Sequence, residues 1–165
     1  MITLKELQDE LNQESVTTRK FLERIPSDKY DWRPHEKSMS IKQLSGHIAE
    51  LPSWVTLAFD TEELDFQKSD YKPSEFANNE ELLSILEKGL AGANASLENA
   101  KEEDLLPQWQ FKNGDDILAD LTKGKLVRFA ISQTIHHRAQ LGVYLRLLNI
   151  PIPGSYGPSA DEPSF

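Results

Sequence analysis

The sequence contains no cysteine among its 165 residues. Disulfide bonds, thiolate nucleophiles, thiolate zinc sites and iron–sulfur clusters are therefore excluded. Basic residues are also scarce, since 18 Lys and Arg stand against 27 Asp and Glu and leave a net charge of −9. A chain this acidic lacks the positive surface on which phosphate backbones bind, so we expect no nucleic-acid partner.

Long apolar stretches are absent as well. No run approaches the roughly 18 apolar residues that cross a membrane. Residues 1–6 lack the charged-then-apolar order of a signal peptide. We therefore expect no membrane association and a cytoplasmic location. The length predicts a single domain over residues 1–165.

Two helices are predicted in the first third of the chain from apolar residues that recur at spacings of three and four. The first begins after Thr3, which forms a capping box with Glu6, and Pro26 ends it. The second begins after Ser40, and Pro52 within it predicts a kink or a break.

Two further helices follow the same spacing. The third begins near Asn78, and the fourth ends at Asn149 before a proline. Between them, Asn113 and Gly114 predict the turn of a small hairpin. Four helices joined by long crossover loops indicate an all-α four-helix bundle.

Histidine is scarce, and two of the histidines lie on inward helix faces. The chain has four of them: His35, His47, His136 and His137. His47 in the second helix and His137 in the fourth fall among leucines. A buried imidazole needs a partner for each ring nitrogen. Either each ring makes structural hydrogen bonds, or both rings bind one metal ion between the helices.

Position 133 bears on that choice because it lies one helical turn before His137. A histidine there would complete a set of three with His47, but the chain has Gln133. Its amide oxygen is a weak ligand for zinc and a better one for harder cations. Glu50, close after His47, is a candidate fourth ligand, hydrogen-bond partner of a ligand or general base. Alternatively, Glu50 is a rim carboxylate held by Arg138 or by solvent.

The three tryptophans lie at or near helix ends and loops. We expect them to close the ends of the bundle, or else to line a pocket mouth above the histidines. They are Trp32, Trp54 and Trp109.

Three blocks of sequence carry a family resemblance. They are DWRPHEKSMS at 31–40, LSGHIAELPSW at 44–54, and IHHRAQL at 135–141 with YLR at 144–146 and YGPSADE at 156–162. Together they resemble the DinB-like (DinB/YfiT) superfamily of bacterial proteins. The resemblance implies an up-down-down-up bundle that is often a homodimer. It also implies a three-histidine site for a divalent metal, usually nickel or zinc, open to solvent or substrate.

Carried over to this chain, the resemblance makes His47 the first metal ligand and His137 the last. The middle ligand falls on Gln133, which departs from the family pattern. His136 is expected to face a neighbouring helix or a dimer partner. Relatives include thiol S-transferases and a maleylpyruvate isomerase that use low-molecular-weight thiols.

Two functional hypotheses follow. The first is a nickel- or zinc-binding protein that acts on small molecules as a thiol-dependent S-transferase or a metal-dependent hydrolase. The alternative is a non-catalytic dimeric bundle, or a small-ligand-binding module, whose metal site has decayed. Gln133 favours this alternative.

Overall fold

A computed structural model describes residues 3–163; Met1, Ile2, Ser164 and Phe165, at the ends of the predicted domain, lie outside the described residues. The described part contains five α-helices, three short strands and two 3₁₀ turns. The helices are α1 (Leu4–Glu23), α2 (Ile41–Glu50), α3 (Ser53–Asp60), α4 (Asn79–Asn99) and α5 (Lys123–Leu147). The strands are β1 (Glu63–Asp65), β2 (Gln108–Asn113) and β3 (Asp116–Thr122), and the turns are Ser27–Lys29 and Glu102–Leu105. Within residues 3–163, none of the helices has the length and apolar character that a membrane crossing demands.

The predicted helix starts at Thr3 and Ser40 are confirmed. The Thr3 hydroxyl accepts the Glu6 N–H at 3.2 Å, and the Glu6 carboxylate accepts the Thr3 N–H at 2.8 Å. Ser40 and Gln43 form the same reciprocal pair at 3.2 and 2.9 Å. Both helices therefore begin where side chains satisfy otherwise unpaired backbone donors.

Pro52 breaks the predicted second helix into α2 and α3. The N–H of Leu51 still bonds to the carbonyl of His47 at 3.2 Å, and Val55 then bonds back to the carbonyl of Pro52 at 3.1 Å. Proline has no N–H to continue the ladder, and its ring collides with the carbonyl four residues earlier. The chain resumes as α3 because proline is well suited to the start of a helix.

The helix directions follow from side chains in contact. Helix α1 is parallel to α5, and α3 is parallel to α4. Helix α1 is antiparallel to α4, and α2–α3 is antiparallel to α5. The pairs are Glu10 with Arg128, Glu14 with Arg138, Ser53 with Gly89, Thr56 with Gly92, Gln8 with Asn94, Arg19 with Glu87, His47 with His137 and Trp54 with Phe129. The chain thus runs up in α1, down in α2–α3 and α4, and up in α5.

The hairpin predicted at Asn113 and Gly114 is present as β2 and β3, with Asn113 opposite Asp116. Gly114 has a φ of +65°, which glycine adopts without a Cβ penalty. The unpredicted strand β1 pairs in parallel with β2. The Asp65 side chain fixes β1 by accepting the N–H of Gly114 at 2.9 Å and of Gln67 at 3.0 Å. These bonds, with the nearby Lys68 ammonium, lower the pKa of Asp65 to about 2.

The prediction of an all-α four-helix bundle is therefore only partly right. The protein is mostly helical, but its described part has five helices and a three-stranded sheet. The fifth helix arises because Pro52 divides one predicted helix, and the sheet arises because the acidic segment after α3 pairs with the hairpin.

The C-terminal tail folds back onto the bundle. Asp161 pairs with Arg146 at 2.5 Å and also accepts the N–H of Ile152 at 2.9 Å. Glu162 pairs with Arg24. Both carboxylates therefore hold the tail in place.

Candidate functional site

The structure brings His47 and His137 together. Their ring centroids lie 4.8 Å apart with the planes at 77°, and both rings are half-buried. Burial lowers the pKa of each imidazole below its ordinary 6.5, because the imidazolium loses solvation. The neighbouring His137 lowers the pKa of His47 further, and Glu50 offsets part of that shift. At pH 7 both rings are neutral, so each has a nitrogen lone pair for a metal ion or a proton.

Gln133 lies one turn before His137 on α5 and is also half-buried. Its amide makes no hydrogen bond to another side chain or backbone group within residues 3–163. The amide oxygen is therefore not committed to the core and is available to a ligand. Its role as the third metal ligand stays a prediction.

Gln140 joins the two adjacent histidines of α5. Its Oε1 lies 3.0 Å from His137 Nδ1, and its Nε2 lies 3.1 Å from His136 Nε2. An amide oxygen only accepts and an amide nitrogen only donates, so His137 carries its proton on Nδ1 and His136 accepts on Nε2. The Nε2 lone pair of His137 is then free. His136 is exposed, and its described contacts are with its own helix.

Glu50 is buried, with 6% of its surface exposed. It is therefore not the carboxylate at the rim that the sequence analysis gave as an alternative. Its Oε2 accepts the Tyr71 hydroxyl at 2.8 Å, and its Oε1 accepts the Ser74 N–H. Arg138 does not hold it, because Arg138 pairs with Glu14 in the interior. Glu50 therefore ties the segment after β1 to α2.

A cavity of about 600 Å³ opens beside His47. Three aromatic side chains, Trp54, Tyr71 and Phe66, line it together with polar and charged residues. The Trp54 ring lies 6.1 Å from the His47 ring, centroid to centroid. Of the two predictions for the tryptophans, a place at the pocket mouth therefore fits Trp54. Trp109 is fully buried instead, and its indole N–H donates to Thr61 at 3.0 Å.

Tyr71 and Ser74 are site residues that the sequence reasoning missed. They lie in the irregular acidic segment between β1 and α4, where no periodicity or motif singles them out. Their place depends on Glu50, more than 20 positions earlier in the chain. A long-range contact of this kind leaves no local signal.

The spacing of the two imidazoles is compatible with a shared divalent metal ion. Nitrogen ligands about 2.0–2.1 Å from one ion place two ring centroids about 5 Å apart, close to the distance found here. Within residues 3–163, however, no three His, Cys, Asp or Glu side chains converge. The structure thus brings two imidazoles together, and Gln133 as a third ligand stays a prediction.

Solved structures share this fold. A DinB-like protein of Bacillus subtilis is 22% identical, with a TM-score of 0.68 over 87% of this chain and 92% of that one. A DinB-like protein of Bacillus cereus is 16% identical, with a TM-score of 0.70 over 92% and 97%. The colibactin self-resistance protein ClbS, solved in complex with dsDNA, is 17% identical, with a TM-score of 0.61 over 88% and 96%. At these identities the likeness shows the fold alone.

No curated protein matches the chain. The sequence profile of the DinB family matches residues 1–164, nearly the whole length. The match agrees with the three sequence blocks and with the fold of the solved structures. The chain therefore belongs to the DinB family.

Proposed function

We propose that the protein binds one divalent metal ion at His47, Gln133 and His137 and acts on a small molecule in the adjacent cavity. The observation that carries this proposal is the 4.8 Å approach of two half-buried imidazoles. Nickel and zinc both suit imidazole donors, and weak binding follows from the amide ligand. A bound metal ion supplies Lewis acidity, which lowers the pKa of a thiol or a water molecule.

The chain's own groups divide the remaining work. Gln140 orients the His137 ring by accepting its Nδ1 proton. Trp54 and Tyr71 line the cavity in which the small molecule would bind. A general-base role for Glu50 requires Tyr71 to move away from it, so we propose that Glu50 positions residues 71–74.

The reaction class we propose is thiol-dependent S-transfer or metal-dependent hydrolysis. Support comes from DinB-family membership and from the open cavity beside His47, which has room for a small thiol and a second substrate. The cytoplasm, where such thiols are abundant, stays our prediction for the location.

Metal content tests the proposal directly. Untagged protein is exposed to nickel, zinc or manganese, freed of unbound ions, and analysed by mass spectrometry. We expect about one equivalent in the wild type and almost none in His47→Ala or His137→Ala. His35→Ala is the matched control, because His35 is exposed and its ring accepts the nearby N–H of Lys37. Full metal binding by either core variant would falsify the proposed site.

A second candidate function is a non-catalytic module that binds a small ligand without metal. The absence of a third converging His, Cys, Asp or Glu within residues 3–163 favours it. Gln133→His separates the two candidates. Tight binding by this variant, together with none in the wild type, would identify a decayed site.

We propose that the protein pairs with a second copy of itself to form a homodimer, with α5 in the interface. Val143 and Leu147 support this choice, because both lie on α5 and are more than half exposed. Light scattering of the wild type and of Val143→Glu tests it, and a monomeric wild type contradicts it.

Nucleic-acid binding needs its own test. ClbS was solved with dsDNA, and this weakens our expectation that the protein has no nucleic-acid partner. The net charge of −9 still opposes phosphate binding. We expect no anisotropy change when labelled dsDNA is titrated with the protein at low salt. A saturable change would refute that expectation.

A further inference from the structure

A second and larger cavity, of about 870 Å³, lies between α3 and α4. Half-buried apolar side chains from three elements face it: Trp54, Leu57, Leu64 and Ile85. Its volume lies within the range of small-molecule sites. Neither the family assignment nor the paired histidines accounts for it.

The two cavities share a wall. Glu50, Trp54, Tyr71 and Ser74 line both of them, and the bonds of Glu50 to Tyr71 and Ser74 hold that wall together. His47 lines only the smaller cavity. A ligand in the larger cavity therefore does not need the histidines.

At the floor of the larger cavity, α3 and α4 approach each other closely through glycines. A Cβ at Gly92 would lie 3.0 Å from the Thr56 hydroxyl, and a Cβ at Gly89 would lie 3.2 Å from the Ser53 nitrogen. Helices in such close contact have little room to move closer to each other. The space beside the contact is thus a preformed feature of the fold.

The charges around the cavity oppose an anionic ligand. Two carboxylates, Glu50 and Asp60, line it against one ammonium group, that of Lys88. The net charge of −9 adds a further negative field. The Thr56 hydroxyl can donate a hydrogen bond that needs no charge on the ligand, whereas the hydroxyls of Ser53 and Thr61 already donate to the backbone carbonyls of Glu50 and Leu57.

We propose that the α3–α4 cavity is a binding site for an uncharged, largely apolar small molecule. Apolar area comes from Trp54, Leu57, Leu64 and Ile85, and the Thr56 hydroxyl fixes the orientation of a polar substituent. This site is independent of the metal proposal, since it contains neither core histidine.

A matched pair of fluorescent probes tests the charge preference. N-phenyl-1-naphthylamine is uncharged, and 8-anilino-1-naphthalenesulfonate has the same ring system with a sulfonate. We expect saturable binding of the uncharged probe and at least about tenfold weaker binding of the sulfonate. Equal or tighter binding of the sulfonate overturns the proposal, as does an absence of binding by the uncharged probe.

Two variants locate the probe. Ile85→Gln places an amide in the cavity, whereas Leu83→Gln changes a comparably half-buried residue of α4 that does not line it. We expect at least about fivefold weaker binding for Ile85→Gln alone. Thermal melting verifies that both variants are folded. Equal effects of the two variants, or loss of binding in His47→Ala, place the probe elsewhere and overturn the assignment.

Discussion

Arg138 on α5 and Glu14 on α1 form an ion pair inside the protein. Nη2 of Arg138 lies 2.6 Å from Oε2 of Glu14, and the two side chains are only 3% and 7% exposed. Arg138 also donates to the backbone carbonyl of Glu14 at 3.0 Å and to Thr18 Oγ1 at 3.1 Å. The Tyr156 hydroxyl donates to Glu14 Oε1 at 2.8 Å. The pair therefore joins α1, α5 and the C-terminal tail.

Removal of one partner from this pair leaves a buried charge without compensation. We expect Arg138→Ala to lower the free energy of unfolding by about 3–5 kcal/mol. Urea denaturation measures the change. Arg128→Ala is the control, because Arg128 makes an exposed ion pair with Glu10, also between α5 and α1. Its expected loss is below about 1 kcal/mol. Similar losses in the two variants would show that the buried pair has no special weight.

The lowered pKa of Asp65 predicts that the stability of the protein depends on pH. The unfolded carboxyl has its ordinary pKa of 3.8, and the folded one has a pKa of about 2. As the pH falls through this window, the unfolded chain takes up the proton first. The stabilisation is therefore present above about pH 4 and is lost towards pH 2.

Thermal melting between pH 2 and 7 measures this effect. We expect Asp65→Asn to have a lower Tm than the wild type at pH 7 and a smaller drop in Tm between pH 4 and 2. Asp28→Asn, at a carboxylate that is 72% exposed, should follow the wild type. An equally steep drop in Asp65→Asn would assign the acid sensitivity to other groups.

The sequence predicted the helices well where local chemistry decides. The caps at Thr3 and Ser40 and the interruption at Pro52 depend on residues within a few positions of each other. Strand β1 was not predicted, because three residues in an acidic segment are too short for an alternating pattern. Asp65 secures this strand through Gly114, which is distant in sequence.

For the candidate site, helical spacing brought His47 and His137 onto inward faces, and the structure has them in contact. Glu50 lines the same cavity as His47, but its hydrogen-bond partners were not foreseen. Tyr71 and Ser74 reach it from an irregular segment, and such contacts depend on the whole fold rather than on a period.

The lowered pKa values of His47 and His137 predict their titration. In metal-free protein, the imidazole C2–H signals of both should titrate with midpoints below 6.5. Because folding favours the neutral rings, stability falls as the pH drops below about 6.5. In His137→Ala, the midpoint of His47 should rise, since the neighbouring charge and part of the burial are gone. A His47 midpoint at or above 6.5 in the wild type contradicts this account.

The Gln140 amide predicts which nitrogen of each neighbouring histidine carries the proton. With Oε1 facing His137 and Nε2 facing His136, both neutral rings should be protonated on Nδ1. Long-range ¹H–¹⁵N spectra of metal-free protein at pH 8 distinguish the tautomers. Gln140→Glu is the informative variant, because a carboxylate only accepts. His136 should then move its proton to Nε2, whereas His137 should keep its proton on Nδ1. A proton on Nε2 of His137 in the wild type would mean that the amide is reversed, and the nitrogen proposed for the metal would be blocked.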